Sequence, residues 1–192
     1  MKNKFHIIYC TYDGLSDPLG QSQILPYING INTSQNYKFT IISFEKQSTK
    51  SIIKIKLRER LNKSKINWVE LKYTKYPPIL STLLDINKLK KSIEQIHKKE
   101  NIDVIHCRSY ITSLVAVKFK IKQNVPFIFD MRGFYADERV DGKIWNRKNP
   151  LYNNIYKYFK KKEIELIQRS NHIVSLTESA RKEIISSFRV KS

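Results

Sequence analysis

Six short apolar runs alternate with helical periods along this chain, and that alternation leaves few folds open to it. The runs are 5–12, 37–44, 67–73, 102–108, 126–131 and 172–177. They are largely apolar without strict alternation, as strands covered on both faces should be. Between them, Leu83, Ile86, Leu89, Ile93 and Ile96 recur at spacings of three and four, which predicts one apolar helical stripe. Further helices are predicted over Ile111–Ile121, over Leu151–Gln168 with Leu151, Ile155, Phe159 and Leu166 on one side, and over Glu178–Phe188. Strand and helix in turn predict an α/β domain of three layers, a parallel sheet with right-handed crossovers. The stretch 132–149 is the longest irregular connection. No linker interrupts residues 1–192, so one domain is expected. The chain stops within Arg189–Ser192, where another strand is expected, as if cut between elements.

A composition of 41% hydrophobic and 28% charged residues is that of a globular chain. No apolar run approaches the ~20 residues that span a bilayer. The start, MKNKFHIIYC, lacks a small-residue cleavage site and reads as a first strand rather than a signal peptide. Cys10 and Cys107 fall in predicted strands without metal spacing, so buried, reduced thiols and a cytoplasmic location are expected. The formal charge of +19, from 36 Lys and Arg against 17 acids, attracts polyanions. The same excess is also what a solvated, lysine-decorated face in a compositionally biased chain produces.

The first strand runs into a loop containing Gly14, Pro18 and Gly20, and a helix is predicted from about Gln21. A strand, a tight glycine loop and a helix N-terminus make an anion site, because the first helical amides have no internal partners. Gly20 is placed where a side chain would keep a ligand from the backbone.

Ligands of open parallel sheets bind beyond the carboxyl ends of the strands. The exits here hold Asp13, Asp17, Gln21, His106, Arg108, Ser109, Asp130, Arg132, Asp137, Glu138, Thr177 and Glu178. His106 suits a sugar hydroxyl, a phosphate or acid–base chemistry, or else is a structural histidine. Arg108 and Arg132 suit phosphate or carboxylate recognition, or else pair with Asp130 or Glu138. Gly133 predicts a tight turn that aims Arg132. Thr177 or Ser179 reads as a helix cap. His6, His97 and His172 lack ligand spacing and read as structural.

Lys46–Lys65 has two readings. Ile53, Leu57 and Leu61 form the expected buried stripe, while Ile52 and Ile55 sit among lysines and arginines. This is either a solvated surface helix or an interfacial helix on anionic lipid.

Taken in order, YDGLSDPLGQSQILPYI, IDVIHCRSY, PFIFDMRGFYADE and HIVSLTESARKEI resemble the N-terminal domain of family 4 glycosyltransferases, over Phe5 to about Ile185. The resemblance implies one Rossmann-like half of a GT-B enzyme, with the C-terminal nucleotide-sugar domain absent from this chain. It implies retaining transfer from a nucleotide sugar to a glycan or lipid-linked acceptor, in bacterial surface polysaccharide synthesis. It implies no metal or other cofactor. Carried over by position, Gly20 and Gln21 would meet the donor, as would His106 or Arg108. Relatives place a histidine two residues beyond the first, where this chain has Arg108. Asp17, Asp130, Arg132, Gly133, Glu138 and Thr177 would line the acceptor side. The expected partners are the donor, the acceptor, an anionic membrane surface at the inner face of the cell membrane, and the missing domain in cis or trans. Such a half is expected to be inactive alone, because the donor must be clamped from both sides.

Three rivals stand. A dinucleotide oxidoreductase would use Glu45 on a ribose, although G-x-G-x-x-G is missing. A nucleotide- or nucleic-acid-binding module fits the charge but shows no recognised motif, so no specific nucleic acid is expected. A catalytically silent partner subunit is the third.

Overall fold

A computed structural model describes residues 4–32, 37–77 and 79–188. The strands are β1 (Phe5–Thr11), β2 (Tyr37–Glu45), β3 (Ile66–Lys72), β4 (Val104–Arg108), β5 (Phe127–Met131) and β6 (His172–Ser175). They form one six-stranded sheet in the order β3-β2-β1-β4-β5-β6. The pairings β1–β2, β2–β3 and β5–β6 are parallel. The fold class read from the sequence is therefore the fold observed, with every strand within two residues of its expected bounds. The helices are α1 (Leu25–Ile31), α2 (Ser51–Lys63), α3 (Leu80–Lys99), α4 (Ser109–Gln123), α5 (Tyr135–Asp141), α6 (Pro150–Arg169) and α7 (Glu178–Phe188). None of the described helices is long and apolar enough to cross a membrane.

The chain forms two compact units, Met1–His106 and Cys107–Ser192. In the first, β1 and β2 present consecutive buried residues, as strands covered on both sides must. One cluster gathers Tyr9, Phe39, Ile41 and Trp68 from the strands with Ile24, Leu25 and Ile28 from the first helical segment. Leu57 and Leu61 of α2 close it. Ile53, expected to share that stripe, is exposed instead. It lies one turn before Leu57, where α2 has not yet reached the core. Leu83 likewise departs from the α3 stripe and is exposed, while Leu89 and Ile93 are buried.

In the second unit, α4 is buried along most of its length. Tyr110 packs edge-on against Phe129 at 5.2 Å and donates its hydroxyl to Glu163 at 2.5 Å. Lys160 reaches both Glu163 (2.5 Å) and Asp137 (2.8 Å). The stretch read as irregular contains α5, held by Tyr135 against Phe159 (4.8 Å) and Tyr110 (5.4 Å). Leu151 lies in the first turn of α6 and is exposed, whereas Phe159 and Leu166 carry that helix's packing. Cys10 and Cys107 are buried and unbridged.

Candidate functional site

The loop after β1 is built around a carboxylate from the neighbouring strand. Glu45, the last residue of β2, is buried and turned inward. It accepts from the amides of Leu15 (2.6 Å) and Ser16 (3.3 Å), from the Ser16 hydroxyl, and from the Ser43 hydroxyl (2.7 Å). The Trp68 indole donates to Ser43 at 2.8 Å and fixes that hydroxyl. Two amides of the loop itself, just before the helical segment, are therefore satisfied by a protein anion. The same contacts remove Glu45 from any role on a ribose, since a buried carboxylate with four donors has no capacity left for one.

The helical segment starts earlier than expected, at Pro18, and passes through a π turn over Gly20–Ile24. Single π turns inside helices are frequent at functional sites. The Leu25 amide closes that turn by donating to the Gly20 carbonyl. Gln21 donates from its backbone to Asp17 O (3.0 Å) and from its side chain to Leu15 O (2.6 Å). Asp17 pairs with Lys46 at 2.9 Å, and that hydrogen bond raises the Lys46 pKa. Gly20 is fully enclosed. A Cβ there would collide with the Gly14 carbonyl and, at 2.5 Å, with the Leu15 backbone. The glycine is thus required by the loop's own closure, whatever approaches the loop from outside. His106 is buried, with its ring against Tyr9 (4.8 Å) and Tyr27 (5.6 Å).

In the second unit the strand exits gather another group. Arg108 is buried at the end of β4, and its carbonyl accepts from Thr112 at 2.7 Å. Ser109 follows with φ 69°, a left-handed conformation that costs a non-glycine residue about 1–3 kcal/mol and tends to occur at functional sites. Nothing local in the sequence signals that conformation. Asp130 is buried and Arg132 approaches it at 3.5 Å, the ion pair that was the structural alternative for this arginine. Gly133 has φ 153°, and a Cβ there would overlap the Glu138 carboxylate. Arg132, Gly133 and Thr177 share a cleft of about 190 Å³ with Met131, Phe134 and Leu176. Thr177 caps α7 by accepting from the Ala180 amide at 3.1 Å. Among the described residues no group of three His, Cys, Asp or Glu side chains is placed to hold a metal ion.

Residues 35–192 match the family model described as Glycosyltransferase Family 4. The match leaves the first loop, with Asp17, Gly20 and Gln21, outside it. A search of curated proteins finds no match. Among solved structures, the chain is similar to sucrose-phosphate synthase from Thermosynechococcus elongatus, with TM-score 0.66 and 9% identity, over 98% of this chain and 46% of that one. It is also similar to a UGT transferase from Siraitia grosvenorii in complex with UDP, with TM-score 0.59 and 10% identity, over 97% and 48%. A glycosyltransferase from Rickettsia africae gives TM-score 0.51 and 17% identity, over 98% and 41%. The chain spans less than half the length of each of these structures. At such identities the likeness is one of fold: a Rossmann-like α/β domain as found in GT-B glycosyltransferases.

Proposed function

Because the chain belongs to glycosyltransferase family 4, we propose that it is the acceptor-side part of an enzyme moving a sugar from a nucleotide-sugar donor to a glycan or lipid-linked acceptor. The proposal extends to retention of anomeric configuration and to a place in bacterial surface polysaccharide synthesis. The family match over residues 35–192 is the observation that carries it.

The residues support a division of labour. Arg132 offers a planar fork beside a small cleft, suited to a sugar hydroxyl, a carboxylate or a phosphate. Thr177 adds a hydroxyl at the same cleft. The first loop is held from within by Glu45, so its outward dipoles would need little reorganisation as charge develops on a departing nucleotide. A second domain would supply most of the donor site and bring donor and acceptor into reacting geometry. No metal or other cofactor is proposed.

Two-dimensional amide NMR of the 192-residue chain tests this reading. Glycans and lipid-linked glycans should shift the amides of Arg132, Gly133 and Thr177, while nucleotide sugars bind weakly. Silence toward every glycan, with nicotinamide dinucleotides or oligonucleotides shifting the same amides, would replace the reading with one of its rivals.

A further inference from the structure

The exits of β5 and β6 are neighbours, with Met131 opposite Ser175 in the register. The cleft of about 190 Å³ lies between the residues that follow them, Arg132–Phe134 on one side and Leu176 and Thr177 on the other. Ala180 and Ile184 of α7 complete it. Such a place, beyond the carboxyl ends of adjacent parallel strands, is where open sheets take ligands. Its lining is unlike the rest of this basic chain. Met131, Phe134, Leu176, Ala180 and Ile184 make its walls apolar, with Met131 and Ile184 buried. Among the described residues that line it, Arg132 is the one charged side chain.

The polar groups beside those walls are few and of different kinds. Thr177 accepts from the Ala180 amide at 3.1 Å and keeps its own O–H as a donor. Arg132 is a fork of donors, with one nitrogen 3.5 Å from Asp130. The Glu138 carboxylate stands where a Cβ on Gly133 would be, against a residue of the lining. It is exposed, and among the described residues nothing donates to it.

A bare sugar face fits this arrangement poorly. Each hydroxyl is donor and acceptor at once, and several of them against apolar walls would go unpaired at a cost. An acetamido group fits it point for point. Its methyl suits the apolar wall, its carbonyl the Thr177 hydroxyl or the Arg132 fork, and its N–H the Glu138 carboxylate.

We propose that this cleft receives the N-acyl group of an amino sugar, so that the acceptor glycan presents an N-acetylhexosamine here. The inference rests on the acceptor-side reading of the cleft and names the sugar class that reading leaves open. A deacylated amino sugar loses the methyl and the carbonyl, and its ammonium meets Arg132 as a like charge. A 6-deoxyhexose brings a methyl without the amide.

Amide-shift and saturation-transfer NMR of the 192-residue chain test it, with the methyl glycosides of N-acetylglucosamine, N-acetylgalactosamine, glucosamine, glucose and fucose. The two acetylated sugars should shift the Gly133 and Thr177 amides with an apparent affinity at least about tenfold above glucose, the factor that one buried methyl and one added hydrogen bond give together. Their acetyl protons should take up the strongest saturation. Ala180→Leu adds bulk to the apolar wall and removes no polar group, so it should erase the preference. Glu138→Ala, at an exposed position, should weaken binding of the acetylated sugars by roughly tenfold, as loss of a charge-assisted bond implies. Thermal unfolding checks that each variant is folded. Equal affinity for glucose, glucosamine or fucose, or a preference intact in both variants, would overturn the inference and leave the acceptor-side reading standing. Silence toward all five sugars would overturn it too, and the acceptor-side reading would fall with it only if longer glycans are equally silent.

Discussion

Glu45 holds the Leu15 amide at 2.6 Å, across thirty residues of sequence and between two neighbouring strands. The loop that opens the first unit is therefore shaped by the strand beside it. Replacing that carboxylate should be felt throughout the loop. Glu45→Ala leaves two amides and two hydroxyls without their acceptor, and unsatisfied buried groups cost ~1–3 kcal/mol, more where the lost partner was charged. Urea unfolding of the variant should show a midpoint lowered accordingly.

The glycines separate into two kinds. Gly20→Ala forces a Cβ onto the Gly14 and Leu15 backbone and should destabilise the chain by ~1–3 kcal/mol, as overpacking does. Gly30 lies in α1 with nothing within 4 Å of a Cβ. Gly30→Ala should stabilise by about 0.5–1 kcal/mol through helix propensity. Opposite shifts of the melting temperature would check both.

His6 predicts a pH dependence. Its Nδ1 meets the Asn101 carbonyl at 3.0 Å and so carries the proton, and its Nε2 accepts from the Thr40 hydroxyl at 3.0 Å. Burial, with Lys38 nearby, holds its pKa below the usual 6.5, and the hydrogen bond to the Asn101 carbonyl, Glu100 and Asp103 oppose that only in part. In the window between the folded and unfolded values the unfolded chain binds more protons, so stability rises with pH there. The contribution is fully present above 6.5 and is lost as the pH falls through the lowered folded value. Melting temperatures across mildly acidic pH should fall less steeply in His6→Asn than in the parent chain.

In the second unit, Tyr110→Phe removes the hydroxyl that donates to the buried Glu163. Burial, reinforced by Glu163, raises the phenol pKa far above its usual value, so the group stays a donor at every working pH. Loss of that bond should cost about 1–3 kcal/mol by chemical denaturation, and Lys160 remains as the partner of Glu163.

Arg132→Ala tests the cleft of the proposed acceptor site. The side chain is partly exposed, so the fold should survive. Glycan-induced NMR shifts at Gly133 and Thr177 should weaken by roughly tenfold in apparent affinity, as loss of a charge-assisted contact implies. Asp130 would keep its other surroundings.

The strands were legible because burial on both faces leaves a local signature, a short apolar run. Helix interiors were legible for the same reason, and helix starts were not. Ile53, Leu83 and Leu151 fit the apolar period yet sit in or near first turns that the core does not reach. Periodicity records which face is apolar, not where along its length that face meets the core. The helix α5 went unseen because Tyr135–Asp141 is short and polar. Its contacts come from Tyr110 and Phe159, far away in sequence. In sequence Glu45 is compatible with a ribose contact, because nothing near it reveals that an amide thirty residues earlier claims it. The polar residues at strand exits were found by position alone. Which of them pair inward, as Arg132 does with Asp130, was decided by tertiary contacts.

The π turn has a consequence for how this loop can vary. A turn closed five residues back holds one more residue than the α geometry needs, so it resembles an old insertion absorbed without unwinding the coil. Excising the exposed Ser22 or Gln23 would leave an ordinary α-helix with Leu25 and Ile28 still aimed at the core. Excising a residue a turn later would swing everything beyond it by about 100°. Length variation among relatives should therefore concentrate at this bend and spare the segment after it.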